Sequence, residues 1–76
     1  MKIEILGMGC PKCKMLYENA KKAVEQAGIQ AEVVKVEDME TITSYGVMMT
    51  PALVVNGEVK TTGKIPSAED IKQWLA

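Results

Sequence analysis

Apolar residues recur along the chain with two different periods, and the switches between those periods mark out seven elements. Ile3, Ile5 and Leu6 predict a short strand over 2–6, and Gly7-Met8-Gly9 turns the chain. From Cys10 the spacing becomes helical. Leu16, Ala20, Ala23, Val24 and Ala27 fall at i, i+4, i+7, i+8 and i+11, one apolar stripe, while Lys14, Glu18, Lys21, Lys22 and Glu25 take the wet side. Pro11 suits the first helical position, where its missing N–H is no loss, and Gly28 stands where a left-handed residue ends a helix. Residues 31–37 (Ala-Glu-Val-Val-Lys-Val-Glu) predict a β-branched strand whose interleaved charges suit a sheet edge. Asp38 predicts an N-cap for a short helix that turns Met39, Ile42 and Tyr45 inward and stops at Gly46. Residues 47–50 form a loop into Pro51. Residues 52–55 read as an apolar strand, Asn56-Gly57 as a type I′ hairpin turn and 58–61 as the return strand. Residues 63–66 connect to a last helix that Ser67 and Asp70 cap and that carries Ile71, Trp74 and Leu75.

The predicted order is therefore β-α-β-α-β-β-α. A strand, helix and strand at the start demand a right-handed parallel crossover, and the closing hairpin adds an antiparallel pair, so the sheet is mixed.

Composition narrows the class. Seventy-six residues, 47% hydrophobic and 25% charged, make one domain over 1–76, near the lower size limit for a self-sufficient core. With no Phe, two Tyr and one Trp, the core must be aliphatic, built from Val, Ile, Leu, Ala and Met. The six methionines are read mostly as core filler, though Met48 and Met49 before Pro51 offer an adaptable apolar rim for a peptide or partner. Trp74 is read as packed. A net charge of −1 with interspersed signs leaves no basic face for nucleic acid. The first residues are too few and too charged for a signal peptide, and no apolar run approaches the roughly 18 residues of a membrane span. A cytoplasmic protein with no membrane partner is expected, acting as a monomer.

The chemistry concentrates in Cys10-Pro11-Lys12-Cys13, which holds the only two cysteines of the chain. A disulfide stabilises by closing a loop, and a ring this small would contribute on the order of 2 kcal/mol, a poor staple. In a reducing cytosol such a pair is more often catalytic or metal-binding than structural. Helix phase separates the two. Cys13 lies three residues before Leu16 and seven before Ala20, on the buried stripe, while Cys10 sits at the predicted helix mouth beside a glycine-rich turn. Unsatisfied N–H groups and the positive end of the helix dipole favour a thiolate there, and Lys12 adds charge. Cys10 is thus the expected nucleophile and Cys13 the resolving thiol. The second constellation is Thr50-Pro51. A proline opening a strand is ordinary, and position alone favours a trans bond, since X-Pro bonds are cis only about 5–6% of the time.

A Cys-x-x-Cys at a strand-to-helix junction, followed by an x-Pro strand and an Asn-Gly hairpin, resembles the thioredoxin superfamily. The run Tyr45-Gly46-Val47-Met48-Met49-Thr50-Pro51-Ala52-Leu53-Val54-Val55-Asn56-Gly57-Glu58-Val59 is the more specific half of the match. The compact size resembles glutaredoxin, and more closely the small prokaryotic proteins called redox-active disulfide protein 2. The resemblance implies an α/β, thioredoxin-like three-layer sandwich with a four-stranded mixed sheet. It implies that Pro51 is cis and lies against the cysteine pair, and that Thr50 and Pro51, with Met49 beside them, hold a substrate chain. It implies thiol–disulfide exchange without an organic cofactor, on protein disulfides, with electrons from a separate reductase or a small thiol. Cys-Pro-x-Cys is the glutaredoxin-like order, but Thr62-Gly63-Lys64 stands where glutaredoxins carry a Gly-Gly pair for glutathione.

Glu4, six residues before Cys10, matches the offset of thioredoxin's buried acidic residue, which implies a proton acceptor for Cys13. From the pattern alone, a lone Glu between isoleucines reads as a solvated margin. Two other readings stay open. Gly7-Met8-Gly9-Cys10-Pro11-Lys12-Cys13 also resembles the loop of heavy-metal-associated domains and copper chaperones, whose two thiolates (here Cys10 and Cys13) bind Cu(I). Those domains end in a strand, whereas this chain predicts a final helix. The last reading is a thioredoxin-fold interaction module whose cysteines are idle.

Overall fold

The computed structural model describes residues 1–9 and 11–75; Cys10 and Ala76 lie outside the described residues. The elements are β1 (Lys2–Leu6), α1 (Pro11–Ala27), β2 (Glu32–Val36), α2 (Met39–Ser44), β3 (Ala52–Val55), β4 (Glu58–Thr62) and α3 (Ala68–Leu75). The sheet runs β2-β1-β3-β4, with β1 parallel to β2 and antiparallel to β3, and β3 antiparallel to β4. The charged strand β2 is at an edge, as its interleaved Glu and Lys residues predict.

Strand alternation sends the central strands' side chains to two different cores. Ile3 and Ile5 of β1, with Leu53 and Val55 of β3, pack against Leu16, Ala20 and Ala23 of α1 and Ile71 and Leu75 of α3. Leu6, Ala52 and Val54 point the other way and meet Ile42 of α2 and Val47. The layers are thus two helices, a mixed four-stranded sheet and one short helix, the α/β three-layer sandwich that the resemblance implies. A fully buried Leu or Ile contributes about 1.5–3 kcal/mol relative to its exposed state. Trp74 is half-buried and packs on the larger core.

Local chemistry sets the element ends. Asp38 caps α2, its Oδ2 accepting from Thr41 N at 3.2 Å and Thr41 Oγ1 at 2.7 Å. At α3 the pair is reciprocal: Asp70 N donates to Ser67 Oγ at 3.2 Å, and Ser67 N reaches Asp70 Oδ2 at a longer 3.4 Å. Asn56 and Gly57 both have positive φ, 51° and 81°, the conformation a type I′ turn requires. Asn56 also ties the turn back to β1, donating from its N–H to Lys2 O at 2.8 Å and accepting from Lys2 N at 3.0 Å. One feature has no counterpart in the predicted hairpin. Leu53 pairs with Thr61 but Val54 with Val59, so Lys60 is an extra residue and β4 bulges there.

The methionine reading is overturned. All six are exposed, and neither core contains one. Met39, expected to point inward from α2, is among them. Met8, Met48 and Met49 lie in loops, Met1 at the chain start, and Met15 two residues past Cys13, on the far side of α1. Within α2 only Ile42 is buried, while Met39, one turn before it, stays exposed and Tyr45 just past the helix packs beside it.

Candidate active site

Strand β1 ends under the start of α1, and Gly7 is what allows the two to approach. Its N–H donates to Val36 O at 3.0 Å, which holds the turn to β2. A methyl group on Gly7 would run into the Cys13 sulfur, and would lie 3.3 Å from Cys13 Cβ and 3.9 Å from Pro51 Cα. One glycine thus touches both constellations that the sequence singles out. Cys13 is 6% exposed and shares the inward stripe of α1 with Leu16, Ala20 and Ala23. Pro11 opens the helix, and both it and Lys12 are exposed. Cys10, the predicted nucleophile, lies outside the described residues.

The Thr50–Pro51 peptide is cis. Pro51 is buried while Thr50 and Met49 are exposed, and the Pro51 carbonyl accepts from Gly63 N at 2.8 Å. That bond holds the segment before β3 to the end of β4. Met49 packs its side chain against Gly63, where an added Cβ would be 3.1 Å from the methionine methyl. Met48, 96% exposed, projects into solvent. Sulfur, buried proline and an exposed Thr-Met edge therefore converge at one end of the sheet.

Glu4 is buried, as the match to thioredoxin's buried acidic residue implies. It is 9% exposed on a central strand, so the solvated-margin reading fails. Its Oε1 accepts a hydrogen bond from Tyr45 Oη at 2.8 Å. The Glu4 carboxylate accepting from its hydroxyl holds the Tyr45 phenol above its usual range, and burial and the Glu4 charge act in the same direction. Alternation along β1 puts Glu4 with Leu6 on the α2 face, whereas Ile5 faces α1 and the turn at Gly7 meets Cys13. Tyr45 was predicted to point inward, but not its partner. The available signal was a carboxylate between isoleucines, which when buried requires a donor.

Among the described residues, no group of three or more His, Cys, Asp and Glu side chains converges as a metal site would, and no helix is long and apolar enough to cross a membrane. Among the described residues α2 stands where the heavy-metal-associated domains pair strands, and α3 follows the β3–β4 hairpin, so the described fold is not that of that family.

Comparison with known proteins agrees with this geometry. The family model for the thioredoxin domain matches residues 1–76. A thioredoxin of Methanocaldococcus jannaschii is 51% identical over 73 residues, covering 96% of this chain and 84% of that protein. A thioredoxin of Methanothermobacter thermautotrophicus is 45% identical over 76 residues, covering 100% of this chain and 99% of that protein. A probable thioredoxin of the same organism is 35% identical over 65 residues, covering 82% of this chain and 75% of the relative.

Proposed function

The chain belongs to the thioredoxin family and is a redox protein of that type, and from this premise we propose that it catalyses dithiol–disulfide exchange through Cys10 and Cys13. The Cys10 thiolate attacks one sulfur of a protein disulfide, and the other sulfur leaves as a thiolate. Cys13 then attacks Cys10, the second substrate sulfur departs, and the Cys10–Cys13 disulfide carries away the two electrons' worth of oxidation. Pro11 fixes the first turn between the two thiols, and Lys12 adds positive charge that favours the thiolate. Thr50 and Pro51 offer backbone groups to the bound chain, with Met49 as an apolar edge. Glu4, which lies on the α2 face of the sheet beside Tyr45, accepts the proton that Cys13 releases through an intervening water. The protein works as a monomeric single domain in the cytoplasm, on protein disulfides, and a separate reductase or small thiol returns it to the dithiol.

The observation that carries this reading is the buried Cys13 sulfur lying against Gly7, next to Pro51. A resolving thiol must be shielded from external disulfides yet within reach of its neighbour, and burial on the inward stripe satisfies the first demand. Two variants test the assignment. Cys13→Ser should accumulate a mixed disulfide with substrate, and Cys10→Ser should form none. Alkylation of the reduced protein at neutral pH should label Cys10 first. Faster labelling of Cys13 would reverse the roles, and a Cu(I) titration saturating at one ion per chain without any disulfide reduction would favour metal carriage instead.

A further inference from the structure

The two methionines before Pro51 are placed in opposite ways. Met48 is 96% exposed, its sulfur surrounded by solvent. Met49 is 63% exposed, yet its side chain lies along Gly63 from base to tip. A Cβ built on that glycine would stand 3.3 Å from Met49 Cβ, 3.6 Å from its sulfur and 3.1 Å from its methyl group. Gly63 in turn donates its N–H to the Pro51 carbonyl at 2.8 Å, the bond that ties the segment before β3 to the end of β4. The thioether therefore closes over the point where Pro51 is anchored. Only the exposed Thr50 separates the two residues in the chain, so Met49 forms the outer wall of the Thr50–Pro51 edge.

A thioether differs from other apolar side chains in that an oxidant turns it polar. Hydrogen peroxide transfers one oxygen to the methionine sulfur, which is oxidised by two electrons to the sulfoxide; the O–O bond breaks and the second oxygen leaves as water. The new oxygen is a hydrogen-bond acceptor, and setting it against a surface without a donor costs free energy. At Gly63 the N–H is already committed to Pro51. An oxidised Met49 thus has two outcomes. Its oxygen turns out to water and lifts the side chain off Gly63, or it captures the Gly63 N–H and frees the Pro51 carbonyl. Either one changes the edge. The sulfur of Met48 already lies in solvent, so the same oxygen there displaces nothing.

We propose that Met49 is an oxidation site through which peroxides slow exchange with protein disulfides while both cysteines stay intact. The inference rests on the dithiol–disulfide function proposed above and adds a control to that same site. The loss falls on substrates whose chain lies along Thr50 and Met49. A disulfide of a few atoms needs no such edge and keeps its rate. The control is reversible, because methionine sulfoxide is returned to the thioether by dedicated reductases.

The protein is treated with hydrogen peroxide as its Cys10–Cys13 disulfide, which leaves no thiol to over-oxidise. It is then reduced with dithiothreitol and desalted, and intact mass counts the sulfoxides retained. Excess insulin or excess bis(2-hydroxyethyl) disulfide is added. Alkylation at intervals, read by mass spectrometry, gives the rate at which the chain loses its own thiols. Peroxide should slow the reaction with insulin about fivefold, the worth of one apolar contact to a docked chain, and leave the small disulfide unaffected. Met48→Leu should keep that difference between treated and untreated protein, and Met49→Leu should lose it. Met49→Gln, polar without any oxidant, should match the treated parent. The inference is overturned if peroxide slows both disulfides alike or neither, if Met49→Leu stays sensitive, if Met48→Leu does not, or if Met49→Gln reduces insulin as fast as the untreated parent. An untreated parent that exchanges with neither disulfide removes the proposed function as well, whereas one that exchanges with both and ignores peroxide removes only the control at Met49.

Discussion

Replacing Gly7 with alanine is the sharpest test of how the site is built. The added methyl group would collide with the Cys13 sulfur and lie 3.3 Å from Cys13 Cβ. Rotating the cysteine about χ1 relieves the first contact but not the second, because Cβ does not move with that rotation. Nor can Cys13 withdraw, since its helix is held by Leu16, Ala20 and Ala23 against the sheet. Overpacking of this kind costs about 1–3 kcal/mol. In a domain of 76 residues that lowers the melting temperature by roughly 5–20 °C. Guanidinium denaturation followed by circular dichroism measures the free energy, and a double-mutant cycle identifies its cause. In a Cys13→Gly background both the sulfur and Cβ are gone, so the penalty for Gly7→Ala should drop by at least about half. An equal penalty in both backgrounds would show that Gly7 is required for its own backbone and not for the approach of Cys13, and the account of the site would fall. A melting temperature unchanged by Gly7→Ala in the parent protein would do the same.

Three further outcomes follow from the packing. Ile71→Ala, at a fully buried position shared by α1, α3 and the sheet, should lose about 2–4 kcal/mol by guanidinium denaturation, and a loss below about 1 kcal/mol would mean that α3 is not seated as described. Tyr45 has its phenol raised above the ordinary value, so its proton favours the folded state; this contribution is complete below about pH 10 and is lost as pH climbs through the raised folded value. Tyr45→Phe should therefore be less stable at neutral pH and should lack that alkaline decline, as denaturation midpoints between about pH 9 and 11 will show; a variant matching the parent across this range would remove the Glu4 pairing. Mild peroxide should oxidise all six methionines while far-ultraviolet circular dichroism stays native, and a methionine that resists until unfolding would contradict the exposure described here.

Much of the fold is legible residue by residue. The stripe of Leu16, Ala20 and Ala23, the caps at Asp38 and Ser67 and the Asn56-Gly57 turn are all local signals, and each element they predict is present. Helix phase alone also turned Cys13 inward, and the burial of that residue agrees. The methionines misled because composition says how many flexible apolar side chains exist, not whether any core has room for them. Two faces of a four-stranded sheet were filled by β-branched residues and leucine, and the methionines were left outside. The bulge at Lys60 was equally hidden, because nothing in residues 58–62 distinguishes a five-residue strand that pairs evenly from one that skips a partner.

Short-range order along the chain therefore determined the elements, their sequence and the inward turn of Cys13, because periodicity, caps and turns act over at most a few residues. What brought Gly7, Cys13 and Pro51 together, sent Glu4 across the sheet to Tyr45, and laid Met49 over Gly63 was the stacking of elements far apart in the chain. Glu4 and Tyr45 are separated by 41 residues, so their hydrogen bond depends on strand order and on which face α2 covers. Those are decided by which packing buries the most apolar surface for the whole domain, a quantity that no short window of sequence contains.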